Sequence, residues 1–165
     1  QAQHISRNMA RDKKIIDEEY KEGIFVGYRW ADKEKTKPLF AFGHGESYTS
    51  FKIGKAKASA ASITTATAFF TVSVTNTGKV AGSETVQLYI HDCESSLPRP
   101  YKELKGFRKV YLQPGETKEV TITIGKDAQF YDDKAASWTA EPGQFEALVG
   151  NASDNIVSKV AFTLK

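Results

Sequence analysis

Five stretches of this chain alternate apolar and polar residues with a period of two, and that pattern constrains the fold most. Phe70, Val72 and Val74 alternate with Thr71, Ser73 and Thr75, and Val86, Leu88 and Ile90 with Gln87 and Tyr89. Val120, Ile122 and Ile124 alternate with Thr121 and Thr123; Phe145, Ala147 and Val149, then Val160, Phe162 and Leu164, repeat the pattern. Successive strand residues point to opposite faces, so each stretch predicts a strand with one buried face. Phe107–Leu112 is also strand-like, but Phe107 and Val110 are three apart, which predicts a bulge near Arg108. Asn76-Thr77-Gly78 and Gly82 mark one connecting loop. Gln113-Pro114-Gly115-Glu116 and Glu141-Pro142-Gly143-Gln144 each predict a type II turn, with Pro setting φ and Gly supplying a positive φ. Lys105, Lys109, Lys118 and Lys159 are placed to blunt exposed strand edges. With no convincing amphipathic helix, these strands and turns predict an all-β sandwich.

The 165 residues suit one ordinary domain plus an extension, and 40% hydrophobic content can supply its core. A net charge of +3, with no basic stripe interleaved with aromatics, argues against nucleic-acid binding. Charges alternate in sign through Arg11–Lys37, as on a solvated surface. No apolar run approaches the roughly 20 residues of a membrane span. The first residues, QAQHISRNMARDKK, are polar and show no signal peptide. Cys93 is the single cysteine, so an intrachain disulfide is impossible. His91 stands two residues away, on the same face of a strand, but a free thiol at a strand end is the simpler reading. Asn151-Ala152-Ser153 fits a glycosylation sequon by pattern alone.

Catalytic chemistry finds little purchase. Glycosidic cleavage needs two carboxyl groups facing each other across a cleft. Asp92 with Glu94, Asp132 with Asp133, and Glu18 with Glu19 are adjacent or nearly so on loop-like sequence, and read as solvated turn formers. His4, His44 and His91 lack metal-ligand spacing, and no phosphate loop or nucleophile elbow is present. No catalytic, metal or cofactor residue is assigned. The loop His91–Lys102 is long for a hairpin and stiffened by Pro98 and Pro100. Its Asp92, Glu94, Arg99 and Tyr101 are the candidates for contact with a sugar or a neighbouring domain; a solvated loop is the plainer alternative.

Upstream, residues 1–22 are charged and weakly periodic, and predict loose or context-dependent structure. Gly23–Trp30 is a short apolar run bounded by glycines and predicts a buried strand. Pro38–Phe51 is rich in Gly and aromatics and reads as a junction. Its Gly43 and Gly45 permit tight turns, and His44 between them suits a packed or hydrogen-bonded residue. Phe40, Phe42, Tyr48 and Phe51 carry more aromatic surface than a free linker exposes, so burial of Phe40, Phe42 and Tyr48 is expected.

Taken in order, Glu22–Trp30, Pro38–Phe51, Val72–Gly78, Ala81–Ile90, Arg99–Phe107 and Leu112–Thr117 resemble the C-terminal portion of family 3 glycoside hydrolases of the β-glucosidase type. The resemblance runs from about Tyr20 to the C-terminus. Ala41 stands where the family usually has Pro, Glu46 where it has Leu, and Ala31 where an aromatic is common. The resemblance implies a fibronectin type III-like (immunoglobulin-like) sandwich over residues 51–165. It implies that residues 1–50 hold the extension, the last strand of an α/β domain and a linker. It further implies partner barrel and α/β domains that carry the catalytic carboxylates, β-glucoside substrates acting through them, and a secreted or periplasmic location. Two other readings remain open. One is a glucan-binding module using Tyr89, Tyr101, Tyr111, Tyr131 and Trp138; the other is one chain of a multi-chain complex.

Overall fold

The computed structural model describes residues 21–63, 68–125 and 129–165. Among them lie one helix, α1 (Tyr28–Glu34), and eleven strands. The strands are β1 (Phe51–Ile53), β2 (Lys57–Ala58), β3 (Ser62–Ile63), β4 (Ala68–Asn76), β5 (Gly82–Asp92), β6 (Glu103–Leu112), β7 (Thr117–Ile124), β8 (Phe130–Asp132), β9 (Ser137–Thr139), β10 (Gly143–Ala152) and β11 (Asn155–Leu164). They form the expected sandwich. One sheet centres on β4, paired with β7 and with the short β1 and β2. The other has five strands in the order β3-β11-β10-β5-β6, and β8–β9 is a separate hairpin.

All five alternating stretches became strands with the expected inward residues. Val72, Val74, Val86, Leu88, Ile90, Val120, Ile122, Phe145, Ala147, Val149 and Phe162 form one buried cluster between the sheets. Phe162 packs edge-on to Phe70 of the opposing sheet at 5.5 Å and stacks on Phe145 at 5.6 Å. The smaller sheet turns hydroxyls outward: Thr71 pairs with Thr121 at 3.2 Å and Thr75 with Thr117 at 2.8 Å. At its end, buried Asn76 donates from Nδ2 to the carbonyls of Val80 and Leu112 and accepts from Thr49 and Gly78. A fully satisfied buried amide of this kind rigidifies the loop it serves.

Several local expectations are corrected. The bulge in β6 lies at Lys105, since Leu88 pairs with Gly106 and Tyr89 with Leu104. It falls there because Gly106 faces inward, where a Cβ would meet Ile122 at 2.5 Å. Gln113–Glu116 is the expected turn, with Gly115 at φ +76° and Glu116 N–H donating to Gln113 O at 3.0 Å. Gly143 instead has no positive φ and opens β10, where ladder pairing to Leu164 holds it extended.

Gly23–Trp30 is not a strand. Residues 21–24 form a turn, and α1 begins at Tyr28, with Gly27 O accepting from Trp30 and Ala31 N–H. Gly23 and Gly27 hold φ of +54° and +62°, outside strand geometry. No described strand pairs with this run, and a strand without a ladder partner leaves its backbone groups unmet. Ile24 and Val26 are consequently exposed. The expectation for residues 1–20, including His4, Glu18 and Glu19, lies outside the described residues.

Candidate functional site

The five-stranded sheet has a second buried layer, on its outer face. Outward from β5 point Gln87 and Tyr89, and outward from β10 points Leu148, all buried outside the main core. What covers Tyr89 and Gln87 is the segment upstream of β1. Tyr28 of α1 packs edge-on against Tyr89 at 5.6 Å, and Phe42 lies on Tyr28 at 5.3 Å. Tyr28 Oη accepts the Leu104 N–H at 2.9 Å, at the bulge of β6. Phe42 O accepts the Ser153 N–H at 2.8 Å.

Two glycine requirements shape this contact. Ala41–His44 is a tight turn, with His44 N–H donating to Ala41 O at 2.9 Å and Gly43 at φ +85°. A Cβ at Gly43 would fall 2.0 Å from Gln87 Nε2. That amide is already committed: Nε2 donates to Asn151 O at 2.8 Å and Oε1 accepts from Tyr89 Oη. Burial, then the neighbouring Tyr28 and Asp32, push the Tyr89 phenol well above its ordinary value, so it keeps the proton it donates.

The loop from β5 to β6 supplies the charges. Lys102 is 3% exposed, and its Nζ meets Asp32 Oδ2 of α1 at 2.5 Å. The same ammonium sits 5.6 to 6.0 Å from the rings of Tyr101, Tyr89 and Tyr28. A buried ammonium needs such a counter-ion, since desolvation opposes its charge. Arg99, also buried, bridges Asp92 at 2.9 Å and Glu103. Arg29 of α1 reaches the other oxygen of Glu103, Oε1, at 3.3 Å, and Lys105 lies 3.7 Å from Oε2, the oxygen that Arg99 holds. Burial pushes the Glu103 carboxyl up, but the Arg99 hydrogen bond and the charges of Lys105, Arg99 and Arg29 overcome this and leave it low. Arg99 also lies over the Phe130 ring at 4.8 Å, tying the β8–β9 hairpin to the cluster.

Of the candidate contact residues, Asp92 and Arg99 come together. Glu94 does not: it is exposed, and its N–H caps Asp92 Oδ1 at 3.2 Å. Tyr101 is half exposed, its ring tilted against His91 at 4.6 Å and its hydroxyl accepting from Lys159 Nζ at 3.4 Å. The junction residues divide. Phe42 and Gly43 hold the contact, but Phe42 stays half exposed, and Phe40 at 67% and Tyr48 at 100% are exposed, all three against expectation. The Phe40 ring meets His44 at 5.2 Å, and both residues are exposed. Gly45 is exposed and open around its Cα.

Reading the residues missed Lys102, Glu103, Asp32 and Tyr28 as a set. One signal pointed to them: Tyr89 and Leu148 are apolar on the outward face of otherwise alternating strands, which marks a covered face. Tyr89 is buried and so is no sugar platform, a correction to the binding-module reading. The sequon is likewise poorly placed, because Asn151 Nδ2 donates to Glu84 at 3.1 Å and Ser153 is buried. Cys93 is exposed, and partial burial with Glu146, Asp92 and Glu94 pushes its thiol up, away from the nucleophilic thiolate. Asp132 caps the N–H groups of Lys134 and Ala135, as a turn former does. Asp92 and Glu103 share one guanidinium, so this cluster is built for holding rather than proton transfer. Among the described residues, no group of His, Cys, Asp or Glu is arranged to hold a metal, and no helix is long and apolar enough to cross a membrane.

Comparison with known proteins agrees with this architecture. Residues 84–153 match the fibronectin type III-like domain family. A β-glucosidase of Bacteroides ovatus is 53% identical over 149 residues, covering 89% of this chain and 20% of the relative. The thermostable β-glucosidase B of Acetivibrio thermocellus is 49% identical over 147 residues, covering 86% and 19%. Among solved structures, the Kluyveromyces marxianus β-glucosidase superposes with a TM-score of 0.81 at 42% identity, covering 87% of this chain and 18% of that one. The Streptomyces venezuelae β-glucosidase DesR, in complex with D-glucose, superposes with a TM-score of 0.83 at 38% identity, covering 88% and 19%. The chain spans about one-fifth of the length of these relatives. The chain is a fibronectin type III-like sandwich with its preceding segment, and it matches the C-terminal region of family 3 β-glucosidases at 42–53% identity over most of its length.

Proposed function

We propose that this chain is the non-catalytic C-terminal accessory module of a β-glucosidase-type retaining exo-glycosidase. The sandwich over residues 51–165 is the module, and residues 1–50 are the segment through which catalytic barrel and α/β domains reach it. Those domains would release terminal β-linked glucose or a related sugar by double displacement. The module buttresses them and flanks the rim of their cleft. The parent enzyme would act outside the cytoplasm, secreted or periplasmic. The observation that carries this reading is the lock between α1 and the sandwich, where Lys102 meets Asp32 and Arg29 meets Glu103. Such a lock makes the incoming chain and the sandwich one rigid unit, as a buttress requires.

The test exchanges this chain for the matched stretch of the Bacteroides ovatus enzyme. The chimera should cleave an aryl β-glucoside, the truncated enzyme should be inactive or unstable, and the isolated chain should show no turnover. Turnover by the isolated chain, or a chimera no better than the truncated enzyme, overturns the reading.

One observation favours a second reading, a glucan-binding module. Tyr131 and Trp138 form an exposed edge-to-face pair at 5.7 Å on the β8–β9 hairpin, and aromatic faces can pack on sugar rings. Retention of the chain on insoluble β-glucan, lost in Trp138→Ala, would support it; no retention rejects it.

A further inference from the structure

Only half of the sheet's outer face is covered. The register sets Phe107 of β6 beside Gln87, Lys109 beside Thr85 and Tyr111 beside Ser83. Side chains alternate along a strand, so all of these share the outer face with Tyr89. Phe107 is 65% exposed and Tyr111 54%. Lys109 is exposed between them on the same face, whereas Arg108, beside the inward Val86, alternates to the other face. The bare half is continuous with the lock: Gln87, the partner of Phe107, is the residue against which Gly43 closes. Next to Gly43, the segment still exposes Leu39, Phe40 and part of Phe42. A contiguous aromatic surface of this kind on an edge strand is costly in water and marks an interface.

We propose that this bare half, centred on Phe107 and Tyr111, is the docking face for the catalytic portion of a β-glucosidase chain. The partner surface is apolar, with an acidic group facing Lys109. The inference rests on the accessory-module reading and adds the place where the two parts meet. Three observations choose this occupant. The chain's relatives hold the same fold inside chains about five times as long, so the sandwich there has a large neighbour. The face adjoins the segment that leads to that neighbour. The Lys109 ammonium between the aromatics suits an acidic protein group. A neutral glucan would leave it without a role, and a second copy meeting this face through a two-fold axis would bring like charges together.

The test adds the 165-residue chain in trans to the Bacteroides ovatus enzyme lacking its matched stretch, reading association by sedimentation and turnover of an aryl β-glucoside. Phe107→Ser with Tyr111→Ser should weaken association by about tenfold or more. The melting temperature of the isolated double variant should stay within about 2 °C of wild type, because both side chains are exposed. Lys109→Glu should weaken association less, and Lys109→Arg should not. If wild type associates and the double variant associates equally well, the face is wrong and the accessory reading stands. If wild type does not associate at all, the accessory reading falls and the face with it. A dimer of the isolated chain, or binding to soluble β-glucan, that the double variant abolishes while trans association persists would overturn the proposal in favour of those occupants.

Discussion

The outer face of the five-stranded sheet has a covered half and a bare half, built on the same strands by the same alternation. On the covered half, Tyr89 is buried under α1 and Gln87 against Gly43, with Leu148 buried beside Tyr89. On the bare half, Phe107 and Tyr111 stand in water. The residue types do not differ enough to explain this: each half carries aromatics and a lysine. The difference is connectivity. Lys102, Arg99 and Glu103 lie where the upstream segment can bring Asp32 and Arg29 to them. The exposed cation of the bare half, Lys109, meets no such segment among the described residues.

The comparison breaks most severely if the cover is removed. Deleting residues 1–45 should cost about 4 kcal/mol, from exposure of Tyr89 and Leu148, and should produce dye binding to the uncovered face. Chemical denaturation would check the first and a hydrophobic fluorophore the second. Arg99→Ala should cost about 3 kcal/mol, since Asp92 would stay buried without its counter-ion while Glu103 keeps only Arg29 and Lys105. Gly43→Ala should cost about 2 kcal/mol in the same assay, through a positive φ and collision with Gln87. An Asn at this position would ease the φ but not the collision.

Acid should loosen the covered half before the core. Glu103 has a folded pKa lowered from 4.5, so its contribution is fully present above that value and is lost as pH falls through the folded pKa. Denaturation midpoints should therefore fall more steeply below about pH 4.5 in wild type than in Glu103→Gln. The smallest effect sharpens the contrast from the other side. Phe107→Ser with Tyr111→Ser should change the stability of the isolated chain by no more than about 0.5 kcal/mol. A large loss there would mean that the bare half is structural and not an interface.

Much of this was legible in the chain. Strands with one apolar set and one polar set, such as Phe70–Thr75, announce both their existence and their inward face, because the period is local. The Pro114-Gly115 turn was legible for the same reason, whereas Pro142-Gly143 was overridden by ladder pairing. Gly23–Trp30 misled: β-branched and aromatic content suits a strand, but a strand also needs a neighbour, and local residues cannot supply one. The contact loop was half legible. Asp92 and Arg99 stood out by charge, while Lys102 looked like one more surface lysine and proved to be buried.

The sequence by itself determined the sandwich, its core and the absence of a disulfide, because side-chain period and cysteine count act without regard to distant partners. The tertiary structure alone decided that α1 closes over Tyr89, that Asp32 neutralises Lys102 seventy residues away, and that Phe107 and Tyr111 are left uncovered. The physical reason is the same in each case. Burial of an outward face is a property of what the rest of the chain lays upon it, and no local pattern encodes that cover.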